Sequence, residues 1–466
     1  MDPYSRRDFL KTSSIAGMAL ATGAGTLTAG LKNKEKPINI LFLLADDLRW
    51  NSLGCAGNEV VITPEIDRLA KDGIRFNNAR VTTSICMVSR ASLLTGQHMS
   101  RHGIDQFLTP LSDEALESTY PAILRKTGYY TGYVGKYGVN HIKEGQFDFY
   151  REYEGQHWIT DENGKTVHVT QKNLNDALTF LKQRPGEKPF CLTVGFFATH
   201  AEDNNLDQYC YQPGSEELFK DTVIPVPETS LPEFLKNLPP FISSEENEGR
   251  RRWHWRFDTP EKYQLYMKAY YRMLYELDHA VGEIVAALKK EGVYENTLIL
   301  FMGDNGYFQG EHQLADKWYP YEESLRVPLV VHDPRLPARK RGMVNDEFVL
   351  NIDVAPFILA AAGRKVPAVM QGRDFSALYN EKEKTAWRQD FYYAHPVVID
   401  EKRIPASEAI IARDSKYILW PNYNYEEFFD LEKDSMEKTN RISDPACAQK
   451  IGTLKERFNI LKESSK

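Results

Sequence analysis

Two pairs of oxygen-bearing side chains stand at the ends of apolar runs. Leu41-Phe-Leu-Leu-Ala45 runs directly into Asp46-Asp47, and Leu298-Ile-Leu-Phe-Met302 runs, after one glycine, into Asp304-Asn305. Three carboxylates and an amide oxygen gathered in one place repel each other unless a cation sits among them. Hard oxygen donors of this kind suit calcium or magnesium. Either pair alone reads better as turn chemistry; two pairs at two strand ends favour a metal. Cations follow comparable runs: Lys136 after Tyr130–Val134, His200 after the run ending near Phe197, and Lys317 downstream of Asp304. Alone, His200 would read as a core histidine and each lysine as a surface charge. Cys86 lies four positions before Arg90, so on a helix the two share a face, and a helix N-terminus there favours an anion. Such a site suits a tetrahedral anion or its ester. It suits a Cys-His protease less, because that thiol needs a partnering base rather than a metal. Cys86 itself has four readings: a buried thiol, half of a disulfide, a thiolate nucleophile, or the precursor of another group.

These residues need a scaffold that brings strand ends together. From Pro37 to about Gly363, apolar runs alternate with amphipathic segments, the pattern of an α/β fold with a mostly parallel sheet covered by helices on both faces. Ile38–Ala45, Tyr130–Val134, Phe190–Phe196 and Thr297–Met302 read as strands. Thr63–Gly73 reads as a helix with Thr63 at its N-cap, Pro64 at its first position and Gly73 as its stop. Between Pro260 and Gly292, Met273, Leu277, Val281, Ile284 and Leu288 make one helical stripe. Residues 201–259 are rich in Pro, Glu and Asn, show little periodicity and end in Arg250-Arg-Arg-Trp-His-Trp-Arg-Phe257; they read as an insertion over one end of the sheet. After about residue 370 a smaller α+β piece is expected, closing with a helix over about 445–461.

The chain has 466 residues, 42% of them hydrophobic, with a formal charge of −7. This excludes a disordered protein and argues against nucleic acid as the main partner. Residues 1–33 begin with a basic stretch containing Arg6-Arg7, followed by a mildly apolar segment. They read as an export signal of the twin-arginine type, handled by that export machinery, rather than a stable membrane span. The expected location is periplasmic or extracellular. The five cysteines are too sparse and irregular for a disulfide framework.

The motif Cys86-x-x-Ser89-Arg90-x-x-Leu93-x-Thr95-Gly96 resembles the signature of the type I, formylglycine-dependent sulfatases of the alkaline phosphatase superfamily. Asp46-Asp47, Gly135-Lys136, His200, Asp304-Asn305-Gly306 and Gly310-Glu-His312 with Lys317 fall in the same order as in that family. The resemblance covers roughly residues 37–370. It implies an alkaline-phosphatase-like catalytic domain over 37–370, with 201–259 on the substrate side, and a C-terminal subdomain over 371–466. It also implies that a maturation enzyme oxidises Cys86 to formylglycine, whose hydrate attacks sulfur and then eliminates the sulfate. Calcium, rather than magnesium, would be held by Asp46, Asp47, Asp304, Asn305 and the residue-86 oxygen. Arg90 would stabilise the hydrate, Lys136 and Lys317 would neutralise sulfate, and His200 would bind it or protonate the leaving oxygen.

Two positions depart from the family pattern. Val88 stands where proline or alanine is usual, and Gly138 where histidine is common; His141, three further on, is either a loop residue or its substitute. Arg252, Trp253 and Trp255, with His141 and His312, are the candidates for holding a sulfated carbohydrate, through forked charge pairs and ring stacking. The competing readings are a phosphoester or phosphonate hydrolase of the same superfamily, and a non-catalytic glycan-binding protein.

Overall fold

The run Asn39–Ala45 forms strand β1, buried along its whole length. Its side chains divide between two cores: Ile40, Phe42 and Leu44 enter one, and Leu41, Leu43 and Ala45 the other. A strand covered on both faces reads as a continuous apolar run, which is why the sequence shows it so clearly. The computed structural model describes residues 36–379 and 386–466, so the export signal expected over 1–33 lies outside the described residues.

The remaining strands of the main sheet are β2 (Ile74–Arg80), β3 (Tyr130–Gly135), β4 (Phe149–Glu152), β5 (Phe190–Gly195), β6 (Thr297–Gly303), β7 (Leu329–His332) and β8 (Met343–Leu350). Their spatial order is β8-β2-β7-β6-β1-β5-β3-β4. All neighbouring pairs are parallel except those of β7, which runs antiparallel to β2 and β6. This is the expected mixed, mostly parallel sheet. Helices α1 (Pro64–Asp72), α3 (Val169–Gln183) and α5 (Pro260–Lys290) share the core on one face. Helices α2 (Cys86–Thr95) and α6 (Val354–Ala361) share the core on the other. The stripe on α5 is fully buried at Met273, Leu277, Val281, Ile284 and Leu288. Burying one such side chain is worth about 1.5–3 kcal/mol.

The region 201–259 is more ordered than its composition implies. It contains helix α4 (Glu248–Arg256), built from the basic-aromatic run itself. Asn247 caps it by accepting from the Gly249 amide at 2.9 Å, and Glu248 pairs with Arg252 one turn on. At Thr63 the expected cap is altered: its hydroxyl makes no cap bond to α1 and instead accepts from the Gly54 amide. The C-terminal piece is a four-stranded antiparallel sheet, β9 (Asp390–His395), β10 (Ser407–Ala412), β11 (Ser415–Trp420) and β12 (Tyr425–Asp430), with helix α7 (Ala448–Ser464). One face of this sheet packs on α7 through Tyr392, Ile410 and Phe428. The other, through Tyr393, Ile411 and Trp420, joins the main core.

Candidate active site

Strands β6, β1, β5 and β3 are consecutive neighbours in the sheet, and the side chains singled out above follow their carboxyl ends. Ligand sites of open α/β sheets lie at this edge. The loops are tied to each other beyond the last strand residues: the Asp304 amide donates to the Ala45 carbonyl at 2.9 Å and the Thr199 amide to the Asp46 carbonyl at 3.0 Å.

Arg90 crosslinks three of these strand ends. Its Nε donates to Asp304 Oδ2 at 2.7 Å, one terminal nitrogen reaches Asp46 Oδ2 at 3.4 Å, and the other donates to the Lys136 carbonyl. The planar guanidinium supplies three divergent donors that a lysine cannot. Lys136 Nζ lies 2.5 Å from Asp46 Oδ2, and Lys317 Nζ lies 2.5 Å from Asp47 Oδ1. Asn305 donates to the same Asp47 oxygen at 2.6 Å.

Three oxygens in this cluster are buried without a hydrogen-bond donor among the described residues: Asp46 Oδ1, Asp47 Oδ2 and Asn305 Oδ1. Leaving buried acceptors unpaired is costly, and a hard divalent cation satisfies such a set. The donors of Asp46, Asp47, Asp304 and Asn305 therefore fit the expected metal. Burial raises the Asp46 carboxyl, but Lys136, His200, Arg90 and Lys317 outweigh it and hold the group below the carboxylate range. Burial dominates at Asp47 and Asp304, reinforced by the neighbouring Asp46, and both are pushed up to about 6. A bound cation would oppose that rise.

Helix α2 starts at Cys86, and its N-cap residue, Ile85, has no side-chain bond to the first amides. Ile85 and Cys86 line a cavity of about 670 Å³ together with Lys136, His200 and Lys317. Uncapped amides at a helix start favour an anion. Burial pushes the Cys86 thiol up, against the pull of Lys136 and Lys317, so it stays neutral near pH 7. His200 Nδ1 lies 2.6 Å from the Ala201 carbonyl, an acceptor only, so this nitrogen carries the hydrogen. Nε2 then faces Asp47 Oδ2 at 3.5 Å. Burial, followed by Lys317 and Lys136, pulls His200 down to about 4.

Of the expected substrate residues, His141 and Arg252 line the cavity. His141 is exposed and meets Glu152 at 2.9 Å. Trp255 is partly exposed beneath the Arg252 guanidinium. Trp253 lies outside the cavity wall, stacked under Arg250 and packed on a core. His312 is also outside it. Its backbone adopts φ 55° in a one-turn helix, and its buried ring stacks on Tyr321. The arginines of α4 are largely engaged within the chain. Arg256 donates to Gln208, Tyr307, Asp316 and Asp203, and Arg252 pairs with Asp203, Glu248 and Asp316.

Sequence reasoning did not single out Glu154, Asp203, Asp316 and Trp318, all of which line the cavity. Asp316 could have been flagged as the neighbour of Lys317. The exposed Phe107, Leu108 and Ile399 at the rim come from distant loops and leave no periodic signal. All five cysteines are free thiols.

A mostly parallel sheet edge that gathers oxygen-rich donors, two buried lysines and a helix-start cysteine suits a tetrahedral anion. The Sulfatase family model matches residues 38–364, so the chain belongs to the sulfatase family, and the model of the N-sulphoglucosamine sulphohydrolase C-terminal region matches residues 310–464. The chain is 27% identical to an N-acetylglucosamine-6-O-sulfatase of Bacteroides thetaiotaomicron, over 97% of this chain and 90% of that protein. It is 28% identical to an arylsulfatase of Clostridium perfringens, over 90% of this chain and 93% of that protein. It shares its fold, at a TM-score of 0.78 and 24% identity, with a structure solved in complex with its substrate D-glucosamine-2-N,6-O-disulfate, over 92% of this chain and 98% of that one. The chain is thus a sulfatase. Among the described residues, no helix is long and apolar enough to cross a membrane.

Proposed function

We propose that this sulfatase hydrolyses sulfate esters on a glucosamine-containing glycan, with residue 86 as the nucleophilic position. The observation that carries this reading is the convergence of Cys86, Lys136, His200 and Lys317 on one cavity, directly over the carboxylates of Asp46 and Asp47. The named relatives that act on glucosamine sulfates support the substrate class.

The chemistry follows from the site. A neutral, buried thiol beside carboxylates is a poor nucleophile, which favours conversion of Cys86 to formylglycine by a maturation enzyme. The aldehyde, once hydrated, supplies an oxygen nucleophile and a route for releasing sulfate. Calcium, if held by Asp46, Asp47, Asp304 and Asn305, supplies charge stabilisation at the sulfate oxygens. Lys136 and Lys317 place two fixed positive charges on the cavity wall, where low dielectric strengthens their hold on an anionic ester. Arg90 keeps the three strand ends in register. His200, with one hydrogen fixed on Nδ1, presents the Nε2 lone pair to the site and must take up a second proton there before it can serve the leaving oxygen as an acid. Arg252 and His141, which both line the cavity, would meet the sugar, with Trp255 beside Arg252. Arg6-Arg7 supports delivery to the periplasm or beyond.

The test compares nitrophenyl sulfate, nitrophenyl phosphate and a panel of sulfated glucosamine oligosaccharides. The expected result is sulfate release from the oligosaccharides, with sulfate preferred over phosphate by more than roughly tenfold, or about 1.4 kcal/mol of barrier. A preference for the phosphate would return the phosphoester reading. Tight binding of the glycans without turnover would return the non-catalytic one.

A further inference from the structure

The segment that carries His200 folds back beside a second cluster of donor atoms. His157, Glu202 and Cys210 bring an imidazole nitrogen, a carboxylate oxygen and a thiol sulfur within 4.8 Å of one another. His157 Nε2 lies 2.9 Å from the His200 carbonyl. A carbonyl only accepts, so Nε2 carries the hydrogen and Nδ1 presents its lone pair. That lone pair stands 3.3 Å from Glu202 Oε2, a second acceptor. The Cys210 amide donates weakly to Nδ1, at 3.4 Å. Glu202 Oε2 is positioned by the His157 amide at 3.0 Å, and Cys210 Sγ accepts from Asn205 Nδ2 at 3.2 Å.

The facing Nδ1 and Oε2 lone pairs, with the Cys210 sulfur beside them, bring three donor atoms close enough to share one cation. The surroundings resemble those of a metal ligand set. A ligating histidine usually donates its other ring hydrogen to a backbone carbonyl, as His157 does to His200. Imidazole, carboxylate and thiolate together suit zinc, whereas the all-oxygen cluster at Asp46 suits a harder ion. His157 and Glu202 are not solvent-flooded: the imidazole is fully buried and the carboxylate is mostly so.

We propose that His157 Nδ1, Glu202 and Cys210 Sγ bind a zinc ion, with the fourth position left to water. Binding converts the Cys210 thiol to a thiolate: the S–H bond is replaced by an S–Zn bond, and one proton leaves to solvent. No electrons are transferred. Because His157 holds the His200 carbonyl, the ion would fix the segment that positions His200.

The test uses the full-length Cys86→Ala protein saturated with calcium, which removes the thiol near the other carboxylates. It is freed of transition metals, then titrated with Zn²⁺ and separately with Co²⁺ as an optical probe. The expected result is one equivalent bound, a thiolate-to-cobalt charge-transfer band, and one proton released per ion. Cys210→Ser and His157→Gln should each weaken binding by roughly tenfold or more. Absence of stoichiometric binding, or of the cobalt band, in the folded Cys86→Ala protein overturns the proposal, independently of whether the two further variants fold. Binding and band unchanged in Cys210→Ser also overturn it.

Discussion

Gly138 stands where the resemblance leads us to expect a histidine, and its surroundings leave no room for a side chain. Its φ is +70°, and a Cβ there would lie 2.8 Å from Arg90 Cδ. Any side chain would be strained and would push the guanidinium that holds Asp46, Asp304 and the Lys136 carbonyl. Gly138→Ala is expected to cost about 1–2 kcal/mol in denaturant unfolding and to lower kcat/KM by more than roughly tenfold through displaced Arg90. Unchanged stability and kinetics would show that Arg90 has room to move. Asp46, Asp47, Lys136, Asp304 and Lys317 were legible in the sequence because each closely follows an apolar strand or a motif of fixed spacing. What Arg252 and Arg256 pair with was not legible. Asp203 and Asp316 reach them across some fifty to sixty residues, and only the folded chain decides such partners.

At the scale of elements, α5 supports the site from behind: its Tyr270 hydroxyl donates to the Asp47 carbonyl at 2.8 Å. The stripe that anchors α5 centres on the fully buried Leu277. Leu277→Ala is expected to destabilise the protein by about 2–5 kcal/mol, read from chemical denaturation, while KM for a nitrophenyl sulfate stays near its original value. A loss below about 1 kcal/mol would mean that the helix repacks without this side chain. The periodicity of α5 made it readable from the sequence. Helix α4 was not, because nine polar and aromatic residues carry no apolar stripe. Its signals were the Asn247 cap and the Glu248–Arg252 spacing, which are weak beside a long stretch without period. β7 and β8 escaped for a related reason: four residues in β7 and a bulged, polar-rich β8 give too little pattern.

At the scale of the whole molecule, the small sheet is joined to the main body by buried charge as well as apolar packing. Lys416 lies between Glu322 at 3.2 Å and Glu437 at 2.5 Å, and Arg80 meets the other Glu322 oxygen at 2.7 Å. Nearby, Glu427 accepts from Trp420 Nε1 at 2.8 Å and from the Tyr321 hydroxyl. Burial, with Glu437 adding to it, pushes Glu427 from 4.5 up to about 7. Between those two values the folded protein keeps a proton that the unfolded chain has released. This carboxyl's contribution to stability is therefore complete below about pH 4.5 and is lost as pH rises through 7. Glu427→Gln should gain on the parent protein over that rise by roughly 1–3 kcal/mol, measured as the difference in unfolding free energy against pH. A constant difference across the range would show that Glu427 is ionised throughout.

The measurement that bears most directly on the central claim is mass spectrometry of the tryptic peptide Val81–Arg90 from protein made with a formylglycine-generating enzyme, paired with sulfate-ester turnover on the same sample. The account predicts the aldehyde mass at residue 86, and turnover that rises with the fraction converted. An unmodified thiol in a sample that still turns over sulfate esters, or complete conversion without any turnover, would contradict it.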